Sequence, residues 1–185
     1  MEADGVEERE QAEHAPWLID MHVHSTLGSA DSNLTPDHLV RRARVLGLAG
    51  AALTEHYRVW PDEEVARAQA PDLALLPAAE WSTDLGHILC FGIERHVSGM
   101  SRAEDVREYV LERRGFMVAA HPFRYAFTTQ ERHAYLGTRG RMTAEQAAEA
   151  PVFRLVDEIE VCNGGCTDEE NLFALQVAHL LGKRG

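Results

Sequence analysis

Beyond Pro16 the sequence alternates short apolar runs with segments of helical period, and this alternation limits the fold more than any other feature of the chain. A chain patterned in this way is built from successive βα units, not from a sandwich or a helical bundle. The apolar runs that read as strands are Trp17–Met21, Leu48–Thr54, Leu73–Glu80, His87–Gly92, Phe116–Ala120 and Asp157–Cys162. Between them, Thr35 is a natural N-cap with Pro36 at the first helical position. Leu39, Val40, Ala43 and Leu46 then recur at helical spacing until Gly47 stops the helix. Ser101 and Glu104 form a capping box before Val106 and Val110, and Gly115 ends that segment. Thr167 and Glu170 open a last helix, for which Leu172, Leu175, Ala178 and Leu181 are the expected buried stripe. Two segments break the alternation. Asp62 to Gln69 reads as a short surface helix, and Arg124 to Pro151 is a long connection with a small helix at Thr143 to Gln146. Connections of that length are often functional.

With 185 residues the chain is one domain large enough for a real core. A complete (β/α)8 barrel takes about 250 residues, so the length is tight for closure. Residues 16–185 are the expected domain. Residues 1–15 read as a solvated, disordered leader, because 1–14 hold six acidic side chains against Arg9 alone. The formal charge is −12, and the part outside the leader is still negative. That argues against nucleic acid as a partner, since phosphate neutralisation needs clustered Lys and Arg. No apolar run reaches the roughly 18 residues of a membrane span, and the acidic start is the wrong sign for an export signal. Three cysteines, Cys90, Cys162 and Cys166, do not make a disulfide framework. The expected location is the cytoplasm.

Ten histidines are the compositional oddity, and their positions explain it. Asp20, His22 and His24 alternate along the end of the first strand and so project to one side. Alone, such a pair of imidazoles fits a half-exposed strand as well as half a metal site. The pattern recurs, however. Thr54-Glu55-His56 ends the second strand, Glu80 ends the third, His87 begins the fourth and His121 follows the fifth. In a parallel βα architecture these ends converge on one face, where such enzymes hold their active sites. Buried histidines and carboxylates are costly without a metal or hydrogen bonds to compensate them, so a multinuclear metal site is the better explanation.

The ordered set IDMHVHS, ALTEHY, AAEW with GHILCFG, AAHP and EIEVCNGG resembles that of the PHP (polymerase and histidinol phosphatase) superfamily of metal-dependent phosphoesterases. The resemblance runs from Trp17 to the C-terminus. It implies a distorted (β/α)7 barrel with up to three divalent metals (Mn, Fe, Zn or Mg) at the strand ends. Carried over by position, His22, His24, His56, Glu80 and His121 match metal ligands, with Glu80 bridging. Asp31 matches the acidic ligand that follows the first two histidines, or is a turn residue. His87 is a ligand or supports one. Glu80, His121 and Arg124 take the catalytic roles, Arg124 as a guanidinium fork for a substrate phosphate. The implied reaction is phosphoester hydrolysis by a metal-bridging hydroxide on a small phosphomonoester or nucleotide.

The family's late Gly-Ser-Asp-x-His motif has no counterpart, so the expectation is a barrel lacking its last strand and two ligands. Two other readings stay open on that ground: a non-catalytic, metal-binding remnant, and a nuclease or DNA-repair-associated module. Around the site, Asp20 and Glu55 are expected to orient imidazoles, Asp20 alternatively to cap local backbone. Glu160 and Asn163 are expected to hydrogen-bond near the metals. Arg139 and Arg141 are either phosphate contacts or a solvated loop, and Tyr57 and Trp60 line a substrate pocket or pack beneath a loop. Cys90 and Cys162 fall in strands as small apolar residues. His14, His38, His96, His133 and His179 lie away from the strand-end motifs.

Overall fold

Among the described residues, six strands form one sheet whose spatial order follows the chain, β1-β2-β3-β4-β5-β6. A computed structural model describes residues 17–127 and 142–185. The leader with His14, and His133, Arg139 and Arg141, lie outside the described residues. The strands are β1 (Ile19–Val23), β2 (Gly50–Glu55), β3 (Ala74–Thr83), β4 (Gly86–Phe91), β5 (Phe116–Ala119) and β6 (Glu158–Ile159). The helices are α1 (Pro36–Val45), α2 (Asp62–Ala68), α3 (Ala103–Glu112), α4 (Ala144–Ala148), α5 (Val152–Leu155) and α6 (Asp168–Leu180). All six apolar runs became strands, with bounds shifted by a few residues. The result is a mixed α/β fold on a single sheet.

The sheet is not uniformly parallel. β1, β2 and β3 run parallel, and so do β5 and β6, but β4 is antiparallel to both of its neighbours. Thr83 pairs with Gly86, so only Asp84 and Leu85 turn the chain from β3 into β4. A parallel crossover needs a dozen or more residues, and this connection has room only for a hairpin. The reversal carries His87, at the start of β4, to the same sheet edge as the C-terminal ends of the other strands.

Two apolar clusters pack on the face of the sheet opposite Glu80, one over β3–β6 and the other over β1–β3. One gathers Trp81, Ile88, Val106, Val110, Met117 and Val177, and the other Leu39, Ala43, Leu53, Trp60, Leu73 and Leu75. β2 is buried throughout, as an apolar strand between two parallel neighbours should be. Thr35 caps α1 as its position predicts. Thr143 and Thr167 form full capping boxes with Gln146 and Glu170.

Three helical expectations change. Ser101 does not cap α3. Asp84, in the β3–β4 turn, accepts the Ala103 N–H at 2.8 Å and does so instead. On α6 the buried side chains are Glu170, Ala174, Val177 and Ala178, whereas Leu172 and Leu175 are exposed. Alanines face inward because α4 packs closely against this helix. Leu46, expected within the α1 stripe, is exposed as well.

Asp157 ties α3 to the β5–β6 edge. It pairs with both terminal nitrogens of Arg107, at 2.8 and 3.0 Å, and accepts the Met117 N–H at 2.8 Å. Burial works against its charge, but the Arg107 and Met117 hydrogen bonds prevail and hold the carboxyl below its usual range. The stability it contributes is therefore present above the unfolded-state value and fades as pH falls through the lower folded-state value. Asp157→Asn is expected to cost about 1–2 kcal/mol at neutral pH. Urea denaturation should show a smaller difference from the wild type at about pH 3.

Candidate metal centre

Five strand ends and one strand start meet at a single open cleft of about 420 Å³, within the range of small-molecule sites. Its walls include Asp20, His22, His24, Asp31, His56, Glu80, His87, His121, Arg124 and Glu160. The eight residues expected as ligands or catalytic groups, His22, His24, Asp31, His56, Glu80, His87, His121 and Arg124, thus line one cleft. β1 delivers His22 and His24 across a register irregularity between Asp20 and Val23, a local kink that re-aims side chains. β2 ends at Glu55 and delivers His56. β3 delivers Glu80, the hairpin delivers His87, and the turn after β5 delivers His121.

Glu80 is the hub. It is 1% exposed, and four imidazoles reach its two oxygens within 3.2 Å. His22 Nε2 and His24 Nε2 approach Oε2 at 3.2 and 3.0 Å, and His87 Nδ1 and His121 Nε2 approach Oε1 at 2.8 and 3.0 Å. His56 Nδ1 lies 3.5 Å from Oε2. Burial alone would raise the Glu80 carboxyl. The surrounding imidazoles of His121, His22, His24 and His87 outweigh burial and hold it far below the carboxylate range. Burial likewise disfavours a charged His22, yet Glu160 and Glu80 overcome it, and its pKa is pushed up to about 9.

The donor set fits divalent metals on its own chemistry. His22 Nε2 and His24 Nε2 face each other 3.1 Å apart beside one carboxylate oxygen, and buried His56 Nδ1 makes no hydrogen bond. Three overlapping groups, His22/His24/Glu80, His24/Asp31/His56 and His56/Glu80/His87, each bring their ligand atoms within 4.8 Å of one another. A cation between such atoms satisfies lone pairs that otherwise oppose each other. Imidazole with carboxylate suits Zn, Fe and Mn, and carboxylate oxygen suits Mg. Asp31 is well exposed, and its Oδ2 lies 3.3 Å from His56 Nε2. His121 falls outside those three groups while reaching Glu80 directly.

Supporting groups differ in part from expectation. Glu160 accepts from His22 Nδ1 at 2.9 Å, from the His121 backbone N–H at 2.6 Å and from Asn163 Nδ2 at 2.9 Å. It steadies His121, whose φ of 29° is rare for a residue with a side chain. Asp20 accepts the His22 backbone N–H at 3.1 Å and so serves the local backbone. Arg124 donates to Asn163 Oδ1 at 2.7 Å, while its buried Nε makes no hydrogen bond. Trp60 is buried and donates to Glu55 at 2.9 Å, so it packs beneath the loop, and Tyr57 is exposed beside His56. Cys162 is exposed at the cleft instead of packed in a strand, whereas Cys90 is buried. Among the other histidines, His96 stacks on Trp81 with ring centres 4.3 Å apart.

Reading the sequence alone misses Ser25 and Ser29, two buried serines in the loop after β1. No spacing rule marks them, because their partner Glu55 sits on another strand.

The crystal structure of a chain from Bifidobacterium adolescentis, whose assignment as a metal-dependent phosphoesterase is itself a proposal, aligns with a TM-score of 0.63. The two share 17% identity over 91% of this chain and 85% of that one. The likeness carries the fold. No family model and no curated protein matches the sequence. No described helix is long and apolar enough to cross a membrane.

Proposed function

We propose that this chain is a PHP-type, metal-dependent phosphoesterase acting on a small phosphomonoester or nucleotide. The sheet is then the greater part of a distorted (β/α)7 barrel, with residues 16–185 as its domain. The observation that carries the reading is the convergence of five imidazoles on buried Glu80 at one sheet edge. In this reading His22, His24, Asp31, His56, Glu80, His87 and His121 hold the ions, up to three of Mn, Fe, Zn or Mg. When bound, such ions polarise phosphoryl oxygens and lower the pKa of water to near neutrality.

The protein's own part is placement. Glu80 shares its two oxygens among neighbouring ligand groups and fixes their separation. Glu160 holds the His22 ring and the His121 backbone, so neither imidazole swings when substrate enters. Arg124 is anchored by Asn163 and lines the cleft, where its guanidinium can meet a phosphate oxygen. The negative charge of the chain favours a small phosphate ester over a nucleic acid.

The test is hydrolysis of p-nitrophenyl phosphate with added Mn²⁺, comparing the wild type with Glu80→Ala. The expected outcome is metal-dependent turnover that falls by at least about 100-fold in the variant, as losing a preorganised charge costs. Equal rates overturn the proposal. Metal binding without turnover would mark a remnant, and salt-sensitive DNA binding a nuclease module.

A further inference from the structure

The loop between β1 and α1 is pinned to the end of β2 by one buried carboxylate. Glu55 is 0% exposed, and so is Ser25, with Ser29 nearly so. Its Oε1 accepts the Ser25 hydroxyl in a short contact and the Trp60 Nε1–H at 2.9 Å. Its Oε2 accepts the Ser25 backbone N–H at 3.0 Å and the Ser29 hydroxyl at 2.6 Å. A carboxylate has about four acceptor positions, so these donors fill it. The approach is close enough to require glycine at 28. A Cβ there would meet Glu55 Cβ at 2.6 Å and Arg58 Cγ at 2.7 Å, inside any tolerable contact.

Ser29 has three partners, and their chemistry leaves one assignment. Its Oγ lies 2.6 Å from Glu55 Oε2, 3.1 Å from the His56 backbone nitrogen and 2.9 Å from His24 Nδ1. A hydroxyl has one proton to give and two lone pairs to receive. The carboxylate can only accept, so the Ser29 proton goes to Glu55. The His56 N–H can only donate, and it takes one lone pair. The second lone pair is left for His24, which must therefore carry its proton on Nδ1. We infer that Ser29 is a positioning residue that, with Glu55 behind it, holds His24 with Nδ1 protonated and leaves the Nε2 lone pair facing Glu80 and His22, ready for a metal ion.

The use of that lone pair rests on the metal-site reading; the tautomer does not. Ligating histidines are generally held through the ring nitrogen that faces away from the metal, and removing that support typically costs 10–100-fold in metal affinity. Here the support is a hydroxyl relay from a carboxylate that touches no imidazole itself. It also links two imidazoles, because the same Oγ receives the His56 backbone. A displaced Ser29 would loosen both.

The experiment is a long-range ¹H–¹⁵N spectrum of the ¹⁵N-labelled full chain, metal-free and with Zn²⁺, with His24 assigned by its loss in His24→Gln. Zn²⁺ affinity is measured alongside by competition with a chromophoric chelator for the wild type, Ser29→Ala and Ser29→Thr. The expected result is a proton on His24 Nδ1 in both states of the wild type. Ser29→Ala should bind Zn²⁺ about 10–100-fold more weakly, and Ser29→Thr, which keeps the hydroxyl, should retain most of the affinity. A wild-type His24 with its proton on Nε2 and a bare Nδ1 overturns the inference. So does a Ser29→Ala chain with unchanged tautomer and unchanged affinity. Should Ser29→Ala fail to fold, the wild-type spectrum decides alone. A wild type that shows the Nδ1 proton yet binds no Zn²⁺ supports the relay and sinks the metal reading instead.

Discussion

Replacing Glu80 by Gln is expected to lower the stability of the metal-free chain by about 3 kcal/mol and to abolish the stabilisation that added Mn²⁺ provides. The two losses have different origins. In the metal-free protein the ionised carboxylate is 1% exposed and accepts from His22, His87 and His121, with His24 Nε2 3.0 Å away. Removing one partner of a buried charge arrangement leaves the others uncompensated, which costs roughly 3–5 kcal/mol. Gln has nearly the same shape, but it offers one acceptor oxygen and an amide that donates into imidazoles already crowded at 3 Å. The loss is therefore electrostatic and not steric. With metal, the wild type should gain about 4 kcal/mol when Mn²⁺ stands a thousandfold above its dissociation constant. That gain needs an anionic carboxylate common to the His22/His24 and His56/His87 groups. Urea denaturation with and without Mn²⁺ separates the two effects. A Gln variant that keeps the full Mn²⁺ gain would show that Glu80 is not a shared ligand.

Much of this arrangement is legible in the sequence because local rules place it. Apolar runs mark the six strands, threonine caps mark α1, α4 and α6, and the histidines and Glu80 track strand ends that the topology gathers. What local rules do not see is pairing between distant segments. The direction of β4 was within reach, since the few residues between Glu80 and His87 cannot hold a crossover, but the rule of alternating βα units points the other way. Only the hairpin puts His87 at the cleft. The cap of α3 comes from Asp84 in the β3–β4 turn, and Ser101 looked better placed in sequence. In α6 both faces are apolar, so periodicity could not tell the leucine face from the alanine face. Close approach of α4 selects the small side chains. Ser29 is the extreme case. Its role exists only when the loop after β1 meets Glu55 on β2, and nothing in the local sequence distinguishes it from a turn serine.

Glu55→Gln is expected to destabilise the chain by about 2–4 kcal/mol, although the side chains are nearly identical in size. The reason lies in which donors can turn away. Of the four that Glu55 receives, the Ser25 and Ser29 hydroxyls can rotate, whereas the Ser25 backbone N–H and the Trp60 Nε1–H are fixed. The two fixed donors sit on different oxygens, Ser25 N–H on Oε2 and Trp60 Nε1–H on Oε1. Whichever way the Gln amide is placed, its NH2 faces one of them. One buried donor is then left unsatisfied, at about 1–3 kcal/mol, and the remaining bonds lose the extra strength of a charged acceptor. With the amide on the Oε2 side, its N–H would also occupy the Ser29 lone pair that His24 uses, so Zn²⁺ affinity should fall together with stability. With the amide on the Oε1 side, Trp60 is the unsatisfied partner and Ser29 keeps its acceptor, so stability falls while affinity largely holds. Denaturation curves and chelator competition on the same variant therefore report which oxygen was replaced. A Glu55→Gln chain as stable as the wild type would mean that one Glu55 oxygen already acts as a donor, and the proton assignment at Ser29 would go with it.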